Sequence, residues 1–159
     1  MKLFVSVLVF CLLASPAFAG NAACYTAAEA EAEQGIRIHS ELMVIGLNCQ
    51  GMQTRGKNLY AQYREFSAAH GDLFAAYEDR LLGYFRKRGD ADPEASLNTL
   101  RTAFANKISL DAAKMRPDLF CNHYGSRIPK VAGMDRATLR KWASTVYPGH
   151  PVSQPLCAR

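Results

Sequence analysis

The stretch from Asn58 to Arg88, NLYAQYREFSAAHGDLFAAYEDRLLGYFRKR, decides the fold. Within it Leu59, Tyr63, Phe66, His70, Leu73, Tyr77, Leu81 and Tyr84 follow one another at steps of three or four. That spacing is one face of an α-helix, and no strand-like alternation competes with it. The stripe runs through His70-Gly71 without losing phase. The spacing therefore predicts one long helix over 58–88, with a kink allowed at the glycine. The alternative is a break at Gly71, with Asp72 as a new N-cap. Arg86, Lys87 and Arg88 suit the negative end of the helix dipole, and Gly89 suits the left-handed residue that follows a helix.

Upstream, Thr26-Ala27-Ala28-Glu29 is a capping box, a hydroxyl at the N-cap with a carboxylate three residues on. Ala27–Cys49 then reads as a helix whose stripe is Ile38, Leu42, Ile45 and Cys49. Glu29, Glu31 and Glu33 fall in its first turns, where the dipole favours anions. Neighbours two apart face different sides, so the three read as a solvated helix start and not as metal ligands. Gly35 reads as a local weakness that allows a bend, and Gln50–Gly56 as a loop.

Downstream, Asp92-Pro93-Glu94 is a helix start, with an N-cap, a proline in the first turn and an acid beside it. Leu97, Leu100, Phe104 and Ile108 form the stripe, and Pro117 ends the helix. A short helix over 118–124 carries Cys121. Ser126–Gly133, which holds Pro129, reads as a loop. Asp135 caps a last helix to Val146, with Leu139, Trp142 and Val146 on one face. Tyr147–Arg159 holds three prolines and reads as an extended tail fixed by Cys157. The expected fold is all-α: a small up-down bundle of four main helices plus a short one, one domain over residues 20–159, stapled by two disulfides.

The disulfides rest on a compartment argument. Lys2, the apolar run Leu3–Ala14 and the small-x-small Ala17-Phe18-Ala19 read as a signal peptide cleaved after Ala19. The run is shorter than the ~20 residues a membrane span needs. Cleavage removes Lys2 and Cys11, so the formal charge falls from +5 to +4 and Cys24, Cys49, Cys121 and Cys157 remain. Four cysteines in an exported chain favour two bridges. Neither Cys-x-x-Cys nor Cys-x-x-Cys-His occurs, so a thioredoxin-type centre and covalent haem are not expected. No cofactor and no metal site is expected. Cys24 and Cys49 flank one helix of about 25 residues, roughly 37 Å long. A disulfide needs Cα atoms within about 7 Å, so they cannot pair. In an up-down bundle Cys49 meets Cys121, and Cys24 meets Cys157. If the second helix splits at Gly71, the parity argument favours Cys24–Cys121 with Cys49–Cys157.

With 49% hydrophobic and 21% charged residues the chain is globular, and its charge is too mild for a dedicated nucleic-acid binder. The charge is uneven, however. Residues 126–159 hold Arg127, Lys130, Arg136, Arg140, Lys141 and Arg159 against Asp135 alone. Arg136 and Arg140 are four apart, so they share a helix side, and Lys141 borders them. Arg127, Lys130, Arg136, Arg140 and Lys141 are the candidate binding face, suited to an anionic envelope component or a periplasmic protein. The aromatic stripe of Tyr60, Tyr63, Phe66, Tyr77 and Tyr84 is a second candidate, with core packing as its ordinary role. The expected function is a non-catalytic binding or accessory module, periplasmic or secreted. The alternative is a small periplasmic hydrolase of cell-wall glycan that uses a mid-helix glutamate, Glu41, Glu65 or Glu78. Nothing in the sequence sets the oligomeric state.

Overall fold

Helix α1 (Ala27–Asn48) begins where the capping box places it: Thr26 Oγ1 accepts from Glu29 N–H, and the Glu29 carboxylate accepts from Thr26 N–H. The computed structural model describes residues 24–54 and 56–158, and the signal-peptide reading of residues 1–19 lies outside them. The chain continues through a two-stranded hairpin, β1 (Gln53–Thr54) inside the Gln50–Gly56 segment read as a loop and β2 (Lys57–Asn58) just beyond it. Helices α2 (Leu59–Ala69), α3 (Gly71–Arg88), α4 (Pro93–Lys114), α5 (Pro117–Tyr124), α6 (Arg127–Val131) and α7 (Arg136–Ala143) follow. The fold is an all-α up-down bundle closed by two disulfides, Cys24–Cys157 and Cys49–Cys121. Among the described residues, no helix is long and apolar enough to cross a membrane.

The long second helix is in fact two. His70 leaves helical geometry at φ −116° and ψ 16°, and its Nε2 lies 3.1 Å from the Met134 carbonyl, ahead of α7. A glycine follows it, which lowers the local preference for helix. The chain nevertheless keeps its direction. His70 N–H still reaches Phe66 O, and Phe74 N–H reaches His70 O. The contacts with α1 also run in one sense across the break. Gly46 meets Tyr63, His39 meets Tyr63 and Phe74, Gly35 meets Tyr77, and Tyr25 meets Tyr84. The pair α2–α3 is therefore one kinked antiparallel partner of α1. A kink that does not reverse the chain does not change the parity of the bundle. The bridges are consequently those expected for an unbroken helix, with Cα separations of 5.5 Å for Cys49–Cys121 and 5.0 Å for Cys24–Cys157.

Helix α1 is the centre of the molecule, and fourteen of its 22 residues are buried, on more than one face. Tyr63, Phe66, Tyr77 and Tyr84 pack against it in the core, and Tyr60 lies partly buried at the edge. Gly35 causes no bend. A Cβ there would lie 2.3 Å from the Tyr77 ring, so the glycine admits the aromatic ring against the α1 backbone. Two boundaries differ from expectation. Pro129 sits in the first turn of α6, where its missing N–H has no intrahelical partner to lose, so the segment is a helical turn and not a loop. Helix α7 stops at Ala143 because Ser144 and Thr145 hydroxyls both turn back onto the Lys141 carbonyl, which leaves Val146 exposed outside it.

His39 gives the core a pH dependence. Its ring stacks on Phe74 with centroids 4.4 Å apart, and Nε2 lies 2.8 Å from Ser67 Oγ and 3.0 Å from the Tyr63 hydroxyl. Burial, with Arg101 adding to it, pushes the imidazole down to about 4. The unfolded chain therefore binds the proton first, near the ordinary value of about 6.5. Stability is complete above that value and falls as the pH drops from about 6.5 to about 4, by up to about 3 kcal/mol from this group. Urea midpoints across that window should flatten in His39→Gln. An unchanged slope in the variant would remove His39 from the account.

Candidate functional site

The C-terminal tail lies on a row of polar side chains from α1. Gln34 Nε2 donates to His150 O at 2.6 Å, and Arg37 Nη2 donates to Pro151 O at 2.6 Å. The Glu33 carboxylate accepts from Ser153 N–H at 2.8 Å and from the Ser153 hydroxyl. Since Ser153 has a single hydroxyl proton and gives it to Glu33, Tyr25 donates its own to Ser153 Oγ. Beyond Ser153, Tyr25 N–H donates to Pro155 O and Cys157 N–H to Tyr25 O, next to the Cys24–Cys157 bridge. Glu33 is thus fully buried, contrary to its expected place on a solvated helix start. Glu31 also has partners: Arg140 Nε at 2.8 Å and the Tyr77 hydroxyl at 2.9 Å. Burial opposes ionisation of Glu31, but those two donors hold its carboxyl below the usual range.

Between α1, α6, the end of α7 and this tail lies a cleft of about 250 Å³. Ile38, Leu42 and Ile45 from α1, Val131 from α6, and Met134 and Trp142 supply its apolar lining. Gln34, Arg37, Glu41, Arg127, Lys130, Tyr147 and His150 supply the polar part. Such a mix of apolar wall and a few convergent polar groups is the usual form of a small-molecule site. The polar groups are loosely knit. Glu41 lies 3.5 Å from Arg127 Nη1 and 3.6 Å from His150 Nδ1, beyond hydrogen-bond length in both cases. Arg37 is packed over the Phe104 ring at 4.3 Å, and its side chain is only 8% exposed. Its Nε–H and His150 Nδ1 are buried with no hydrogen-bond partner among the described residues. Burial lowers the His150 imidazole below its ordinary value although Glu41 opposes the shift, so the ring is neutral at pH 7.

The five basic residues of the candidate face separate into two groups. Arg127 and Lys130 line the cleft. Arg136 and Arg140 lie on the other side of α7, exposed as the helical register requires, and both are ion-paired: Arg136 with Asp72 of α3 and Arg140 with Glu31 of α1. Together with Arg80 and Tyr77 they line a smaller polar depression of about 220 Å³. Lys141 is exposed beside them. Of the three mid-helix glutamates, Glu41 lines the cleft, while Glu65 pairs with Lys57 and Glu78 with Arg101. Gln34, Arg37 and His150 escaped the sequence reading. The signal was Glu33, Arg37 and Glu41 at steps of four, but a charged stripe at that spacing also describes an ordinary solvated face.

No protein-family model, curated protein or solved structure matches this chain, so its site rests on geometry alone.

Proposed function

We propose that this protein is a non-catalytic binding module of the bacterial envelope, periplasmic or secreted, that holds a small anionic envelope component in the cleft between α1, α6, α7 and the tail. One observation carries the reading: an apolar concavity of about 250 Å³ in which Arg37 buries an N–H with no partner among the described residues. A buried donor left unmade costs about 1–3 kcal/mol, so a polar group of this kind beside an apolar wall is unusual outside a binding site. Two bridges fit an oxidising compartment, and residues 1–19 read as the export signal. The hydrolase alternative has less support. Glycoside hydrolysis uses two carboxylates on either side of the scissile bond, and Glu41 is the one carboxylate lining the cleft among the described residues.

Trp142 is the chain's only tryptophan and lines the cleft, so its emission reports on that place alone. A screen of small anions should find compounds that shift Trp142 emission and raise the melting temperature together. Thr145→Phe, made at an exposed rim position, should fill the mouth and abolish both responses, while the Ser144 hydroxyl still caps the Lys141 carbonyl and the free variant still melts cooperatively. Compounds that stabilise wild type and Thr145→Phe equally would place binding elsewhere and defeat the reading.

A further inference from the structure

The cleft also specifies the chemistry of its ligand, on the premise that it is a binding site. Its size sets the first limit. A dry cavity of about 150 Å³ holds benzene, with six heavy atoms. On that scale about 250 Å³ admits a ligand of about ten heavy atoms. Its walls set the second. Met134 and Trp142 are the partly exposed apolar side chains of the lining, with the buried Ile38, Leu42, Ile45 and Val131 closing the wall behind them, and a wall of this kind takes a hydrocarbon chain.

Charge sets the third limit. Arg37 is matched by Glu33 beneath it at 3.5 Å, and Arg127 by Glu41 at 3.5 Å. Lys130 has no acidic partner within ion-pair distance among the described residues and is exposed at the cleft. One cation is therefore uncompensated among the charges at the cleft, which calls for a single negative charge and not for a phosphate dianion. A carboxylate also has the acceptor lone pairs that the loosely held Arg127 guanidinium can take without giving up Glu41.

From these three limits we infer that the cleft binds a short-chain aliphatic monocarboxylate, with its headgroup at Lys130 and Arg127 and its chain against Met134 and Trp142. The binding is reversible, and no bond is made or broken.

Hexanoate, hexan-1-ol and hexylammonium share a chain length and differ only in headgroup, so they separate the parts of the inference. Trp142 emission and the melting temperature are read during titration with each at constant ionic strength. Hexanoate should bind at least about tenfold more tightly than hexan-1-ol, the factor that one charge-assisted hydrogen bond supplies. Lys130→Gln should weaken hexanoate about tenfold and leave hexan-1-ol unchanged. Equal affinity for hexan-1-ol, or tighter binding of hexylammonium, overturns the carboxylate assignment and leaves the cleft standing as a binding site. Unchanged hexanoate affinity in Lys130→Gln overturns the placement of the headgroup. No response to any of the three overturns the inference. If the wider anion screen also fails, the proposed binding function falls with it.

Discussion

Replacing Glu33 by alanine should lower the stability of the folded protein by about 3–5 kcal/mol, the usual cost of removing one partner of a buried ion pair. Glu33 is wholly buried, and among the described residues it alone supplies a carboxylate within ion-pair distance of Arg37, whose side chain is 8% exposed. Without it the guanidinium remains out of water and keeps, among the described residues, the Pro151 carbonyl and the face of Phe104. The Ser153 N–H and hydroxyl lose their acceptor in the same step, which frees the middle of the tail. A domain of this size has about 5–15 kcal/mol in total, so the loss is a large share of it. The urea midpoint measures it. A cycle with Arg37→Met makes the cause testable. Glu33→Leu together with Arg37→Met removes both charges, and the double variant should be more stable than Glu33→Leu alone. If the two changes simply add, the destabilisation comes from the Ser153 contacts and not from a stranded charge.

Reduction of the two disulfides should have the larger effect of the pair of tests, and the bridges should fail differently. Each closes a long loop, with sequence separations of 133 and 72 residues. A bridge of that kind contributes about 2–5 kcal/mol. Loop length alone separates the two by only about 0.5 kcal/mol, because closure entropy grows with the logarithm of length. Their settings differ more. Cys49 and Cys121 are both buried and tie the end of α1 to α5, so Cys49→Ser with Cys121→Ser should lower the global melting temperature. Cys24→Ser with Cys157→Ser releases a tail that Gln34, Arg37 and Glu33 still hold, so the tail should become protease-sensitive before the bundle melts. Reduction of both should bring the protein close to its unfolding threshold at 37 °C. Equal melting midpoints with and without reductant would mean that the bridges are idle.

Most of the fold is written in local chemistry. The capping box at Thr26, the Asp92-Pro93 start and the left-handed Gly89 are decided by a few neighbouring residues, and all three stand where they were expected. The buried stripe from Leu59 to Tyr84 was legible for a related reason: apolar side chains at helical spacing have no other way to leave water together. The disulfide pairing was legible because helix length forbids Cys24–Cys49 and the up-down parity of the bundle chooses between the two pairings that remain.

The site was less legible. Arg127 and Lys130 were marked by the charge bias of the C-terminal segment, yet the same bias marked Arg136 and Arg140, which the fold spends on Asp72 and Glu31. The kink at His70 depends on the Met134 carbonyl, 64 residues on. The burial of Glu33, Gln34 and Arg37 depends on a tail more than a hundred residues away. A polar stripe has the same period whether water or another chain segment covers it, and only the folded backbone supplies that cover. The sequence alone determined where helices begin, which face is apolar and which cysteines are too far apart to join. Tertiary structure decided which charges are matched, which are buried and where the cleft lies. The reason is that helix periodicity is set by neighbours along the chain, while the partner of a charge is set by whatever segment folding brings against it.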